Sequence, residues 1–199
     1  MQIINSILSA GIQLVLFSII PFIWWFIFYR RNERFFKWIG LKKPVLNYKS
    51  KNRFYPIIIA FVFLSISLFS VTLFVDNTTS EFTNFGFVSI LAAILTAFIR
   101  TGLAEEIFFR GFLAKRLIYK YGYQTGNMIQ AFIFGSVHGL GFMLIGSGML
   151  IIIIVTTLTA MVGYLLGSIN EMKFNGSIIP SWIVHSAMNT VSFIATMSS

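Results

Sequence analysis

The chain has 199 residues, of which 57% are hydrophobic and only 11% charged, with 23 phenylalanines and a mean hydropathy of +0.83. That composition excludes an ordinary soluble domain and points to one integral membrane domain. The lack of cysteine excludes disulfides, thiolate zinc sites and a cysteine nucleophile, and the formal charge of +9 raises a nucleic-acid partner only until the basic residues are located.

From Ile3 to Tyr29 no residue is charged. The run is too long for a signal peptide and lacks both a basic start and a small-residue cleavage site, so it predicts a retained spanning helix with a kink at Pro21. The next stretch, "RRNERFFKWIGLKKPVLNYKSKNR", carries nine Lys/Arg and one Glu. It reads as a juxtamembrane loop, about 30–54, with a short amphipathic piece around "RFFKWIGL". A second span follows at about Ile57 to Val75, then the polar stretch "DNTTSEFTN".

A third apolar run begins near Phe85, meets Arg100 and flows through "TGLA" into Glu105 and Glu106. Roughly 20 helical residues cover about 30 Å, which brings the two glutamates to the far end of that span. "IFFRGFLAKRLIYKYG" then mixes apolar residues with Arg110, Lys115, Arg116 and Lys120, the pattern of a helix lying in the interface. Three further spans are predicted at about Asn127 to Ile145, Met149 to Ser168 and Ile178 to Met197. The expected architecture is an all-α membrane protein, a bundle of about six transmembrane helices plus an interfacial amphipathic helix carrying the paired glutamates.

Charge tests this layout. With the N-terminus outside, loops 30–54, 100–126 and 169–176 fall on the cytoplasmic side, and they hold all 15 Lys/Arg, while Asp76 and Glu81 stay outside. Such segregation follows the positive-inside rule, so the basic surface is assigned to anionic lipid headgroups and no nucleic-acid partner is expected.

The ionisable residues at membrane depth are Glu105, Glu106, Arg110, His138 and His185, with Asn189 as a polar neighbour; His138 and His185 are the chain's two histidines. Lipid makes such groups expensive, which makes each a functional candidate. Glu106 and Arg110 share a helix face and read as a structural ion pair. Glu105, turned by about 100°, points elsewhere and lacks that partner. His185 and Asn189 share a face, and taken alone they also fit interhelical polar glue. His138 stands one turn beyond Phe134.

A carboxylate and an imidazole can hold and deprotonate a water, and a second imidazole with an amide NH₂ can donate to a developing oxyanion. Hydrolysis of a carbonyl compound uses all four. The rival is a zinc site on Glu105, His138 and His185. There is no His-Glu-x-x-His run, and an Asn so near the second His suits oxyanion binding better than ligation, but spacing leaves both arrangements open.

"EEIFFR" (Glu105, Glu106, Arg110) resembles the EExxxR motif of the CPBP family, which groups CAAX proteases with the bacteriocin-processing enzymes also labelled Abi. "FGSVH" (Phe134, His138) is similar to its FxxxH motif and "HSAMN" (His185, Asn189) to its HxxxN motif. The resemblance covers roughly residues 85–197. It implies a catalytic helical core over 85–199, preceded by a two-span region over 1–84. It further implies an intramembrane endopeptidase whose conical cavity opens toward cytosol and lipid. Glu105 and His138 would activate water, His185 and Asn189 would stabilise the oxyanion, and Glu106, Arg110 and Phe134 would support them. Both a glutamate-dependent mechanism without cofactor and a metalloprotease mechanism are attached to the family. The implied substrate is a hydrophobic peptide or lipidated protein, CAAX-like or a pheromone or bacteriocin precursor. The Phe/Ile/Asn/Lys-rich composition is that of a low-GC bacterium, which puts the chain in the plasma membrane. Two other classes remain: a catalytically silent scaffold or bacteriocin self-immunity factor of the same fold, and a small transporter, whose paired interrupted helices are not visible.

Overall fold

The computed structural model describes residues 2–47, 82 and 85–197. The predicted second span, the end of the basic loop and, apart from Phe82, the polar stretch 76–84 lie outside the described residues. The described elements are all helical: α1 (Gln2–Phe28), α2 (Phe35–Trp38), α3 (Phe87–Tyr121), α4 (Tyr123–Leu144), α5 (Met149–Lys173) and α6 (Ile179–Met197).

α1 is organised as lipid requires. Its buried residues are Ser6, Ala10 and Pro21, whereas Ile4, Ile12, Val15, Leu16 and Ile20 face outward. Small residues against protein and large apolar ones against the surroundings is the membrane pattern, the reverse of a soluble amphipathic helix. Pro21 sits inside the helix. α2 is the predicted amphipathic piece: Trp38 and Ile39 are buried with Ile107, Phe112 and Ile178, while Phe36 remains exposed. It ends at Gly40, whose φ of +88° is a left-handed helix stop, and Leu41 N–H returns to Phe36 O at 2.8 Å. A Cβ at Gly40 would lie 2.4 Å from Gly176 O, so this loop closes tightly on the connection between α5 and α6.

The third apolar run and the glutamate segment, expected as a span followed by a separate interfacial helix, form one helix of 35 residues, Phe87–Tyr121. Its charged second half is not free in an interface. Lys115 Nζ binds Glu171 Oε1 at 2.9 Å and donates to Gly176 O at 2.8 Å, and the Arg116 guanidinium lies 4.2 Å over the Trp38 ring. These partners come from distant segments, which is why hydropathy alone reads the stretch as interfacial. α3 also departs from regular geometry: Thr96–Leu103 and Glu106–Ala114 are π-helical, bracketing Ala104 and Glu105.

α4 and α5 form the most intimately packed pair in the bundle. Their approach depends on small residues, for a Cβ at Gly135 would lie 2.4 Å from the Thr156 carbonyl oxygen and 2.7 Å from Ala160 Cβ. A polar ladder fastens the other end. Asn127 Nδ2 donates to Tyr164 O at 2.9 Å, and Gln130 Nε2 donates to Asn127 Oδ1 and Gly163 O, each at 2.9 Å. α6 packs on α3 and seals against α5 through Val162, Leu166, Ile169 and Met188.

Among the described residues four helices, α1, α3, α4 and α5, are long and apolar enough to cross a membrane. α6, predicted as a span, is 19 residues long but carries Ser181, His185, Ser186 and Asn189, which lower its hydropathy and mark it as the polar lining of the bundle.

The α4–α5 contact predicts that Gly135→Ala destabilises the protein by about 1–3 kcal/mol through overpacking. Gly141→Ala, whose Cβ would meet no atom within 4 Å, should be neutral or slightly stabilising. Thermal unfolding in detergent micelles compares the two variants, and equal midpoints would refute the packing account.

Candidate active site

The site is assembled from α3, α4 and α6. Glu106 is wholly buried, and each neighbour of its carboxylate is a donor or a cation. Arg110 Nη1 lies 3.0 Å from Oε1, His185 Nδ1 lies 3.0 Å from the same oxygen, and Ser181 Oγ donates to Oε2. An ionised carboxylate accepts only, so the proton of the His185 contact resides on Nδ1. The predicted Glu106–Arg110 pair is therefore present, with an addition: the carboxylate is shared with α6.

Arg110 is equally buried, and none of its guanidinium nitrogens makes a hydrogen bond among the described residues. The approach to Glu106 is close but not aligned for one. The guanidinium instead lies over the Phe134 ring, with Cζ 4.0 Å from its centroid. Phe134 also meets Phe109 edge-on at 4.9 Å, His138 at 4.4 Å and His185 at 6.0 Å between centroids. One ring thus contacts the arginine and both imidazoles.

His138 Nδ1 lies 2.8 Å from Phe134 O, one turn back on α4. A carbonyl oxygen can only accept, so Nδ1 carries the hydrogen and, in the neutral ring, Nε2 presents a lone pair. That Nε2 lies 3.8 Å from Glu105 Oε2, and His185 Nε2 lies 3.8 Å from the same oxygen. Glu105 Oε2 is buried and makes no hydrogen bond among the described residues. Two imidazole nitrogens therefore approach one unsatisfied carboxylate oxygen. Side-chain exposure rises from 6% at His185 through 13% at Glu105 to 30% at His138, so the site opens past His138.

Helical geometry predicts that the two glutamates face apart, yet both reach His185, Glu106 at Nδ1 and Glu105 at Nε2. The reason is the π-helical backbone on either side: i→i+5 turns hold more residues than α-turns, which narrows the angle between successive side chains. The altered ladder is supported from α6, where Trp182 Nε1 donates to Phe98 O at 2.7 Å.

Asn189 shares the His185 face as predicted, but its Nδ2 donates to Thr101 Oγ1 at 2.8 Å. Thr101, one turn before Glu105, had no role in the sequence reading. Ser181 was missed as well. The signal for it was present: Ser181, His185 and Asn189 recur every four residues and form one polar stripe along α6. α6 and α3 approach closely at Gly102, where a Cβ would lie 2.2 Å from Ser186 Oγ and 2.6 Å from Ala97 O.

The donor types of Glu105, His138 and His185 are those zinc accepts. Ligands at 2.0–2.1 Å in a tetrahedral shell stand roughly 3.4 Å apart. The two imidazole nitrogens each stand 3.8 Å from Glu105 Oε2, and no group of three or more His, Asp or Glu side chains among the described residues is disposed to hold a metal ion. As arranged, the set fits a proton-transfer site better than a metal shell.

A family model described as type II CAAX prenyl endopeptidase Rce1-like matches residues 85–191, which take in all of α3, α4 and α5 and α6 beyond Asn189. No curated protein and no solved structure matches the chain. The family match spans more than half of the sequence and contains every residue of the cluster around Glu105. The chain belongs to the Rce1-like family of type II CAAX prenyl endopeptidases, and is on that ground a membrane-integral protease.

Proposed function

We propose that the chain hydrolyses a peptide bond in a hydrophobic or membrane-associated substrate with a water activated by Glu105 and His138. The observation that carries this reading is the convergence of His138 Nε2 and His185 Nε2 on the unsatisfied Glu105 Oε2, each at 3.8 Å.

The roles follow from where hydrogens can reside. His138, with its proton on Nδ1 toward Phe134 O, offers Nε2 as an acceptor beside the Glu105 carboxylate. A water between them gives up its proton as its oxygen adds to the scissile carbonyl, and the same proton returns to the leaving amine. The new oxyanion needs donors. His185 supplies one from Nε2 when both ring nitrogens carry hydrogen, with Nδ1 facing Glu106 Oε1 at 3.0 Å. Asn189 supplies another from the Nδ2 hydrogen not engaged by Thr101. No step passes through a metal.

Charge segregation supports an orientation with the N-terminus outside and the site reached from the cytoplasmic side of a bacterial plasma membrane. Suitable substrates are lipidated CAAX-like proteins or hydrophobic pheromone or bacteriocin precursors.

With the protein in liposomes and a fluorogenic hydrophobic peptide, Glu105→Ala and His138→Ala should each lower kcat by about 100-fold or more at little cost in KM. Wild-type rates from both variants would end the mechanism, whereas a wild-type protein that cuts no peptide and whose cellular phenotype survives both substitutions would favour the silent scaffold or immunity factor. Purified enzyme should keep its rate after prolonged treatment with EDTA or 1,10-phenanthroline. A loss of activity that added zinc restores would assign the site to metal chemistry instead.

A further inference from the structure

We propose that Ser181, backed by Asn170, is a positioning residue that orients His185 through Glu106. Its kinetic consequence rests on the protease reading above, whereas the arrangement itself rests only on contacts.

Asn170 lies in the π-helical turn that ends α5, with its side chain fully enclosed. Nδ2 donates to Ser181 Oγ at 2.7 Å, and Oδ1 accepts from Ser181 N at 3.3 Å. Both ends of the amide are used, so its orientation is fixed. The backbone holds it in place too, since Asn170 O accepts from Gly176 N at 2.7 Å.

Ser181 Oγ, already receiving a hydrogen from Asn170, has one hydrogen to give. Its acceptors are Ile178 O at 3.0 Å and Glu106 Oε2, and the carboxylate is the nearer and the charged one. That contact occupies Oε2 and turns Oε1 toward His185 Nδ1 and Arg110 Nη1. The ring of His185 is thereby held with Nε2 facing Glu105. A chain of hydrogen bonds, Asn170 to Ser181 to Glu106 and back from His185, therefore sets the nitrogen that faces the reaction. Without Ser181 the Oε2 atom would be buried with no donor, and the carboxylate would gain by rotating or by taking up a proton. Rotation carries the acceptor away from the His185 Nδ1 hydrogen, and protonation replaces it with a weaker, uncharged one.

The test uses the fact that the chain has two histidines. In ¹⁵N-histidine-labelled protein in lipid nanodiscs, each ring gives a resolvable Nδ1–H signal, assigned with a His138→Gln sample. In Ser181→Ala the His185 Nδ1–H signal should shift or exchange away while that of His138 stays. In the same variant kcat should fall about 10-fold or more with KM changed less than about twofold, the loss expected for a hydrogen bond to a charged group. Ser181→Thr should restore both. Asn170→Ala should move both in the same direction by a smaller amount, and carries the test should Ser181→Ala fail to fold. An unchanged His185 signal in the folded variant, a lost signal with wild-type kcat, or a Ser181→Thr protein that behaves like Ser181→Ala would each overturn the proposal. The resonance is read whether or not a peptide is cut. Should Glu105→Ala retain full activity, the protease mechanism falls while the signal still decides the role of Ser181.

Discussion

A carboxylate sealed from water constrains everything around it. An ion in a low-dielectric interior costs several kcal/mol unless charge and hydrogen bonds surround it, and removing one partner strands the others. Glu106 meets that demand with Arg110 from its own helix and with His185 and Ser181 from α6. Arg110 in turn is spread against Phe134 of α4. One buried charge thus fixes three helices relative to each other, and the groups it fixes are those that line the site. The adjacent glutamates consequently divide their duties. Glu106 has no oxygen left over for chemistry, whereas Glu105 keeps one oxygen without a partner.

The backbone has to bend its rules to let neighbouring residues cooperate. In a regular α-helix successive side chains diverge by about 100°, which turns two adjacent carboxylates toward different sides. The π-helical stretches before and after Glu105 relax that divergence. Such turns weaken the main-chain ladder and survive where other groups compensate. Here the Trp182 indole takes the Phe98 carbonyl, and Thr101 Oγ1 returns to Ala97 O at 3.2 Å. The same threonine holds Asn189. The irregular helix and the polar face of α6 are therefore one arrangement, each satisfying what the other leaves open.

These relations explain what the sequence discloses and what it conceals. Apolar runs, the Glu106–Arg110 spacing and the histidines at membrane depth are local or compositional signals, and they are legible because lipid penalises every exception. The continuity of Phe87–Tyr121 is not legible, because Lys115 and Arg116 look interfacial until Glu171, Gly176 and Trp38 are known to receive them. Asn170 lies 64 positions after Glu106 and reaches it only through a serine of another helix, a relation that periodicity does not carry. The π-helical step is hidden for a further reason. Amphipathic patterns are read at 3.6 residues per turn, and a local change in period leaves no compositional trace.

Access follows from the same geometry. His138 is the most exposed member of the cluster, and the flanking outward surface of α4 presents Phe132, Val137, Leu140 and Met143. The exposed edge of His138 adjoins that apolar surface, where a polar, hydrated peptide would lose water without gaining partners. A lipid-modified or hydrophobic segment loses nothing there and gains contact area. Under the proposed protease reading, an apolar substrate is therefore favoured along that approach by the cost of desolvation alone.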